Sequence, residues 1–169
     1  MISGFLKEYF EIGARAIFEN DGVLDKFMGD GIMALFGVMN TANSDNKCGV
    51  HEALRAAIDL RDKFEALLKK WDENWKLYVP DKIEIGLGCG IHTGEALVGN
   101  VGTNFRDQFT ALGPQVNFAS RIESRAAPGQ ILLSQSAEVR AKDKFKFIEA
   151  GEINDIKNIP GVFKLYSFR

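Results

Sequence analysis

Three short stretches carry side chains whose types and spacing could do chemistry. In KFMGD, residues 26–30, a lysine sits in an apolar run, and Asp30 stands between two glycines where the chain must turn. Asp30 is either loop chemistry, since Asp-Gly is a strong hairpin signal, or an acid at an edge where a cation docks. Lys26 either snorkels from an apolar strand or donates to an acceptor on a ligand; alone, it favours snorkelling. In QFTALGPQVNFASRIE, residues 108–123, Asn117 and Arg121 are four apart and share one helical face. An amide beside a guanidinium can cap a helix or pair on a surface. The same donors suit a sugar oxygen and a phosphoryl group. The third stretch is a polar loop holding Lys157 beside Asn158 and Gly161, unremarkable by itself.

Other familiar patterns fail. GEALVGNVG (94–102) imitates a P-loop but has Asn100 where the phosphate-binding lysine belongs. GLGCGIHTG (86–94) lacks the third glycine of a dinucleotide fingerprint and opens no helix. His51 and His92 have no partner at metal-ligand spacing; His51 reads as a solvated helix residue and His92 as a structural one at a strand end. No arrangement argues for a covalent nucleophile.

The elements that must position these groups follow from periodicity. Leu6, Tyr9, Phe10, Gly13 and Ile17 fall on one face of a helix over 3–19, which Asn20-Asp21-Gly22 stops. Strands over 23–28 and 32–36 make a hairpin through Gly29-Asp30-Gly31, with Lys26 and Met28 on one face and Phe27 on the other. A polar loop spans 40–47. A helix over 50–71 carries Leu60, Phe64, Leu67, Leu68 and Trp71 as a core stripe. Strands are expected over 82–92, 106–112, 130–133, 145–150 and 162–168, with helices over 115–125 and 136–141. This order predicts an α+β fold, a sheet with helices on one face. An α-β-β-α-β order is also what a ferredoxin-like βαββαβ unit leaves when its first, central strand is missing, which predicts that the natural start lies upstream of Met1.

Composition narrows the function classes. The 169 residues, 46% hydrophobic and 26% charged, suit one globular domain. A net charge of −2 gives no basic stripe for nucleic acid. Cys48 and Cys89 form neither a disulfide framework nor a zinc motif, and no run has membrane-spanning length. A cytoplasmic, reducing setting is expected.

Taken together, K-x-x-G-D, then Q-F-T-x-x-G-x-x-V-N-x-A-S-R-I-E, then I-K-N-x-x-G-x-x-K-L-Y resemble the class III nucleotidyl cyclase catalytic domain over essentially the whole chain. HTGEALVGNVG and PGQILLS look like the strands this family carries on either side of the middle motif. The resemblance implies a single catalytic domain over 1–169 that converts ATP to 3′,5′-cyclic AMP and pyrophosphate. The ribose 3′-oxygen attacks the α-phosphorus in line, with two Mg²⁺ or Mn²⁺ ions held by aspartates.

Residue by residue, the resemblance implies that Asp30 is a metal ligand and that Lys26 and Thr110 read adenine. Asn117 orients the ribose, Arg121 stabilises charge on the pentavalent phosphorus, and Lys157 grips the terminal phosphates. It also implies a head-to-tail homodimer, with Asp30 from one chain and the other residues from its partner. Thr110 resembles the bicarbonate-responsive adenylate cyclase subclass. The family's first metal aspartate, in a strand reading roughly Phe-x-Asp-Ile, has no counterpart before Gly4, so the domain is expected to be N-terminally incomplete. The alternatives are a catalytically inactive cyclase-like module that dimerises or binds nucleotide, and a guanylate cyclase, which Lys26 and Thr110 disfavour.

Overall fold

The computed structural model describes residues 2–38, 48–76, 85–154, 156 and 159–169. The expected 40–47 loop, the start of the expected 82–92 strand and Lys157 lie outside these residues. The order is α1 (Ile2–Glu19), β1 (Val23–Met28), β2 (Gly31–Leu35), α2 (Val50–Trp75), β3 (Cys89–Ile91) and β4 (Leu97–Thr103). It continues through β5 (Arg106–Leu112), α3 (Pro114–Glu123), β6 (Ile131–Ser134), α4 (Gln135–Ala141), β7 (Phe147–Ile153) and β8 (Phe163–Phe168).

The centre is a four-stranded sheet ordered β3-β6-β8-β7, in which β3 and β6 are parallel and the other pairs antiparallel. Every residue of β6 is buried, because its alternating side chains enter two different cores. Ile131 and Leu133 meet Val50, Leu54 and Ala57 of α2 and Ala137 and Ala141 of α4. Leu132 instead meets Phe118 and Ile122 of α3, with Leu165 and Ile153. Helices therefore cover both faces of this sheet, not one as the element order suggested. The unbroken apolar run ILL is the sequence mark of a strand buried on both sides.

A third cluster ties α1 to the C-terminal half of α2: Phe5 and Tyr9 pack on Phe64, Leu67 and Trp75. Phe5 lies 5.0 Å from Trp75 and meets Phe64 edge-on at 6.1 Å, geometries that suit the ring quadrupoles. Helix α2 thus spans two cores and runs four residues past Trp71, where the sequence stripe stopped. On α1, a Cβ at Gly13 would run into the Ile32 side chain. Glycine there lets the helix lie close over the β1–β2 hairpin.

Two strand expectations change. Of the described residues in the 82–92 stretch, only Cys89–Ile91 is strand. Residues 86–88 instead press against the 126–130 turn, where a Cβ at Gly88 would sit 2.9 Å from the Ala126 carbonyl oxygen, and Gly129 donates its N–H to the Leu87 carbonyl. Conversely, Leu97–Thr103, which overlaps the stretch rejected as a P-loop and which periodicity did not mark, forms strand β4, as the family resemblance of HTGEALVGNVG implied, paired antiparallel with β5 from Leu97↔Leu112 to Thr103↔Arg106. Among the described residues, β1–β2 and β4–β5 are separate two-stranded ladders beside the main sheet. No helix among these residues is long and apolar enough to cross a membrane.

Candidate nucleotide site

The β1–β2 hairpin turns through Gly29 and Asp30, with Met28 paired to Gly31. Gly29 takes the positive φ (+64) that the turn needs. The Asp-Gly signal is therefore displaced by one residue: Gly31 belongs to the strand, and Asp30 is free to face outward. Asp30 is exposed and enters no ion pair among the described residues. Its charge adds to burial in pushing the Tyr9 phenol up to about 12, burial being the larger cause.

The β1–β2 register slips between Leu24↔Ala34 and Lys26↔Met33, leaving Asp25 as an extra residue in a β-bulge. After the bulge, Phe27 stacks on Phe10 of α1 at 4.3 Å. The Asp25 side chain is fully buried and meets four groups. Its Oδ2 accepts from Thr110 Oγ1 at 2.8 Å and from the Ala111 N–H at 3.3 Å. Its Oδ1 accepts from Gln108 Nε2 at 3.4 Å and lies 3.5 Å from Lys26 Nζ. A buried carboxylate is tolerated only when its lone pairs are met, and here they join β1 to β5.

The structure thus brings Lys26 and Thr110 together through a residue that the sequence reading passed over. A signal was present. Asp25 shares a strand face with Val23 and Phe27, so an acid stands where that face is otherwise apolar, and such a residue needs partners.

Asn117 and Arg121 lie on the exposed side of α3, one position removed from the buried anchors Phe118 and Ile122. Gly113 and Pro114 start this helix directly after β5, with Pro114 in its first turn. Among the described residues, neither Asn117 nor Arg121 hydrogen-bonds or ion-pairs with the Asp25 group.

His92 helps place the start of α3. Its Nε2 lies 2.7 Å from Gln115 Oε1, its Nδ1 lies 2.8 Å from Ser134 Oγ, and its ring lies 4.3 Å from Phe118. Burial lowers its pKa, opposed by the Gln115 bond, so the imidazole is neutral near pH 7. It then donates to Gln115 and accepts from Ser134, whose Oγ also caps α4 by accepting from the Ala137 N–H. The structural reading of His92 is the one these contacts support. His51 departs from expectation: it is buried, with Nε2 3.0 Å from Asp143 Oδ1.

The architecture is the cyclase homology fold. It matches the crystal structure of the adenylyl cyclase CyaB from P. aeruginosa with a TM-score of 0.86 at 28% identity, covering 99% of this chain and 81% of that one. The guanylyl cyclase Cya2 matches at 0.80 and 28% identity, with 99% and 79% covered. The family model described as the adenylate and guanylate cyclase catalytic domain matches residues 3–167, and the chain belongs to that family. Among curated relatives, adenylate cyclase 1 of Rhizobium meliloti is 30% identical over 154 residues, 89% of this chain and 21% of that protein. The adenylate cyclase of Anabaena cylindrica is 39% identical over 119 residues, 70% of this chain and 22% of that protein. The chain therefore spans about a fifth of the length of these relatives.

Proposed function

We propose that this domain is an adenylate cyclase, making 3′,5′-cyclic AMP and pyrophosphate from ATP. The observation that carries this reading is the joining of Lys26 and Thr110 by the buried Asp25 carboxylate. A lysine donor suits the adenine ring nitrogen, and a hydroxyl oxygen suits the exocyclic amine. The adenylate cyclase relatives at 30% and 39% identity point the same way. Asn117 orients the ribose, Arg121 stabilises charge at the phosphorus undergoing attack, and Lys157 holds the terminal phosphates.

Asp30 supplies one hard oxygen ligand of the kind Mg²⁺ and Mn²⁺ prefer. A Cβ at the neighbouring Gly29 would meet nothing within 4 Å, so the turn leaves room for an ion and phosphates. Among the described residues no group of three or more side chains converges as a metal cage. Two-ion binding would draw its other ligands from phosphates and a further carboxylate. When bound, such ions neutralise phosphate charge and favour ionisation of the attacking hydroxyl.

The active unit is a head-to-tail homodimer with two equivalent sites. The β4–β5 hairpin carries the apolar surface such a contact needs, with Leu97 72% and Phe105 99% exposed. The domain works in the cytoplasm. Thr110 also makes bicarbonate an expected activator; unchanged turnover with and without bicarbonate at fixed pH would remove that assignment.

Turnover of ATP and GTP with Mn²⁺ tests the function. Cyclic AMP as the main product supports it. Cyclic GMP as the main product favours the guanylate cyclase reading, and nucleotide binding without turnover favours a non-catalytic module.

A further inference from the structure

We propose that Asp25 sets the base preference of this domain by fixing the hydrogen-bond polarity of the Thr110 hydroxyl. The inference rests on the reading that Lys26 and Thr110 face the purine. A hydroxyl has one proton and two lone pairs. An ionised carboxylate only accepts, so at 2.8 Å the Thr110 proton is committed to Asp25 Oδ2. The other acceptor in reach, the Ala111 carbonyl, is 3.5 Å away. Thr110 is 4% exposed, so water does not compete for that proton. What Thr110 can offer a ligand is a lone pair.

Lys26 Nζ, 3.5 Å from Asp25 Oδ1, can only donate. The pair therefore presents one acceptor and one donor. Adenine answers with an amine donor and a ring-nitrogen acceptor. Guanine places a carbonyl acceptor and a ring N–H donor at the corresponding positions, reversing both. The bulge lets one carboxylate hold both side chains, because it turns Asp25 out of the β1–β2 ladder toward β5. Asp25 is thus a positioning residue that acts through its neighbours.

The test is displacement of a fluorescent nucleotide by ATP and by GTP, which needs no turnover. Asp25→Asn is nearly isosteric, yet its amide can donate to Thr110 Oγ1 and release the hydroxyl proton toward the ligand. The ATP-over-GTP affinity ratio is expected to fall about tenfold. Thr110→Val should lower the ratio similarly, and adding Asp25→Asn to it should change little more, because both act through one hydroxyl. Asp25→Glu, which remains an acceptor, should keep the preference. If Asp25→Asn does not fold, Asp25→Ala, which frees the same hydroxyl, takes its place. An unchanged ratio in Asp25→Asn or its replacement Asp25→Ala, with a changed one in Thr110→Val, overturns the role of Asp25 and leaves the adenine reading standing. An unchanged ratio in Thr110→Val and Lys26→Ala, or no displacement by either nucleotide from the unaltered chain, overturns the reading and this inference with it.

Discussion

The β1–β5 junction and the outer face of α3 treat their polar groups in opposite ways. At the junction, a fully buried carboxylate gathers a hydroxyl, an amide N–H, a side-chain amide and an ammonium group within 3.5 Å. On α3, Asn117 and Arg121 are exposed, as is Asp30 at the hairpin turn. Groups that choose a ligand must hold a fixed donor and acceptor pattern before it arrives, so they are braced within one chain. In the proposed function, groups that answer charge developing during phosphoryl transfer need only reach it, and their partners would be the phosphates, ions and second protomer.

The largest effect that sharpens this contrast is expected on α3. Arg121→Ala should lower kcat by about 10²–10³-fold with little change in KM, as for loss of a donor that acts in the transition state. An unchanged kcat in steady-state assays would remove Arg121 from the chemistry. Next, a charge placed on the exposed hairpin, Phe105→Asp, should weaken dimerisation by about tenfold or more, the weight of a buried aromatic anchor. Sedimentation would show this, together with specific activity that falls on dilution at higher concentrations than for the unaltered chain. Equal dilution profiles would place the interface elsewhere.

The smallest effect concerns His92. Its folded pKa is held below the ordinary 6.5, chiefly by burial, so as pH falls the unfolded chain takes up the proton first. The stability it contributes is complete above about pH 6.5 and drains away as pH falls through the lowered value. Thermal melts at successive pH values should show a loss in acid that His92→Gln reduces. Identical acid profiles would contradict the neutral bridge between Gln115 and Ser134.

Much of the frame was legible in the sequence because burial imposes a period. The stripe of Phe64, Leu67 and Trp71 fixed α2, and alternation around Lys26 and Phe27 fixed the first hairpin. Periodicity passed over strand β4 because LVGNVGT is glycine-rich and largely exposed and carries no alternating apolar signal; only the family resemblance of HTGEALVGNVG marked it as strand. His51 sits among Glu and Arg in sequence, and its burial comes from the distant segment that brings the Phe145 ring to 5.9 Å and Asp143, 92 positions away, into hydrogen-bond reach. Asp25 was missed because a bulge is a pairing event between strands: nothing local tells a regular strand from one that turns a residue toward β5. The groups proposed to do chemistry were readable as a motif because their spacing along β1, β5 and α3 is set by those elements. The residue that braces two of them left one mark in the sequence, an acid on an otherwise apolar strand face, and its partners were readable only from the fold.

In the proposed function Lys26 and Thr110 read the base. The ratio of kcat/KM for ATP and GTP with Mn²⁺ shows this most directly, measured on the unaltered protein and on the protein carrying Lys26→Glu and Thr110→Cys. The unaltered protein is expected to prefer ATP by at least about tenfold, and the double variant to lose or invert the preference. A preference for GTP in the unaltered protein, or an ATP preference that survives both substitutions, would contradict this reading.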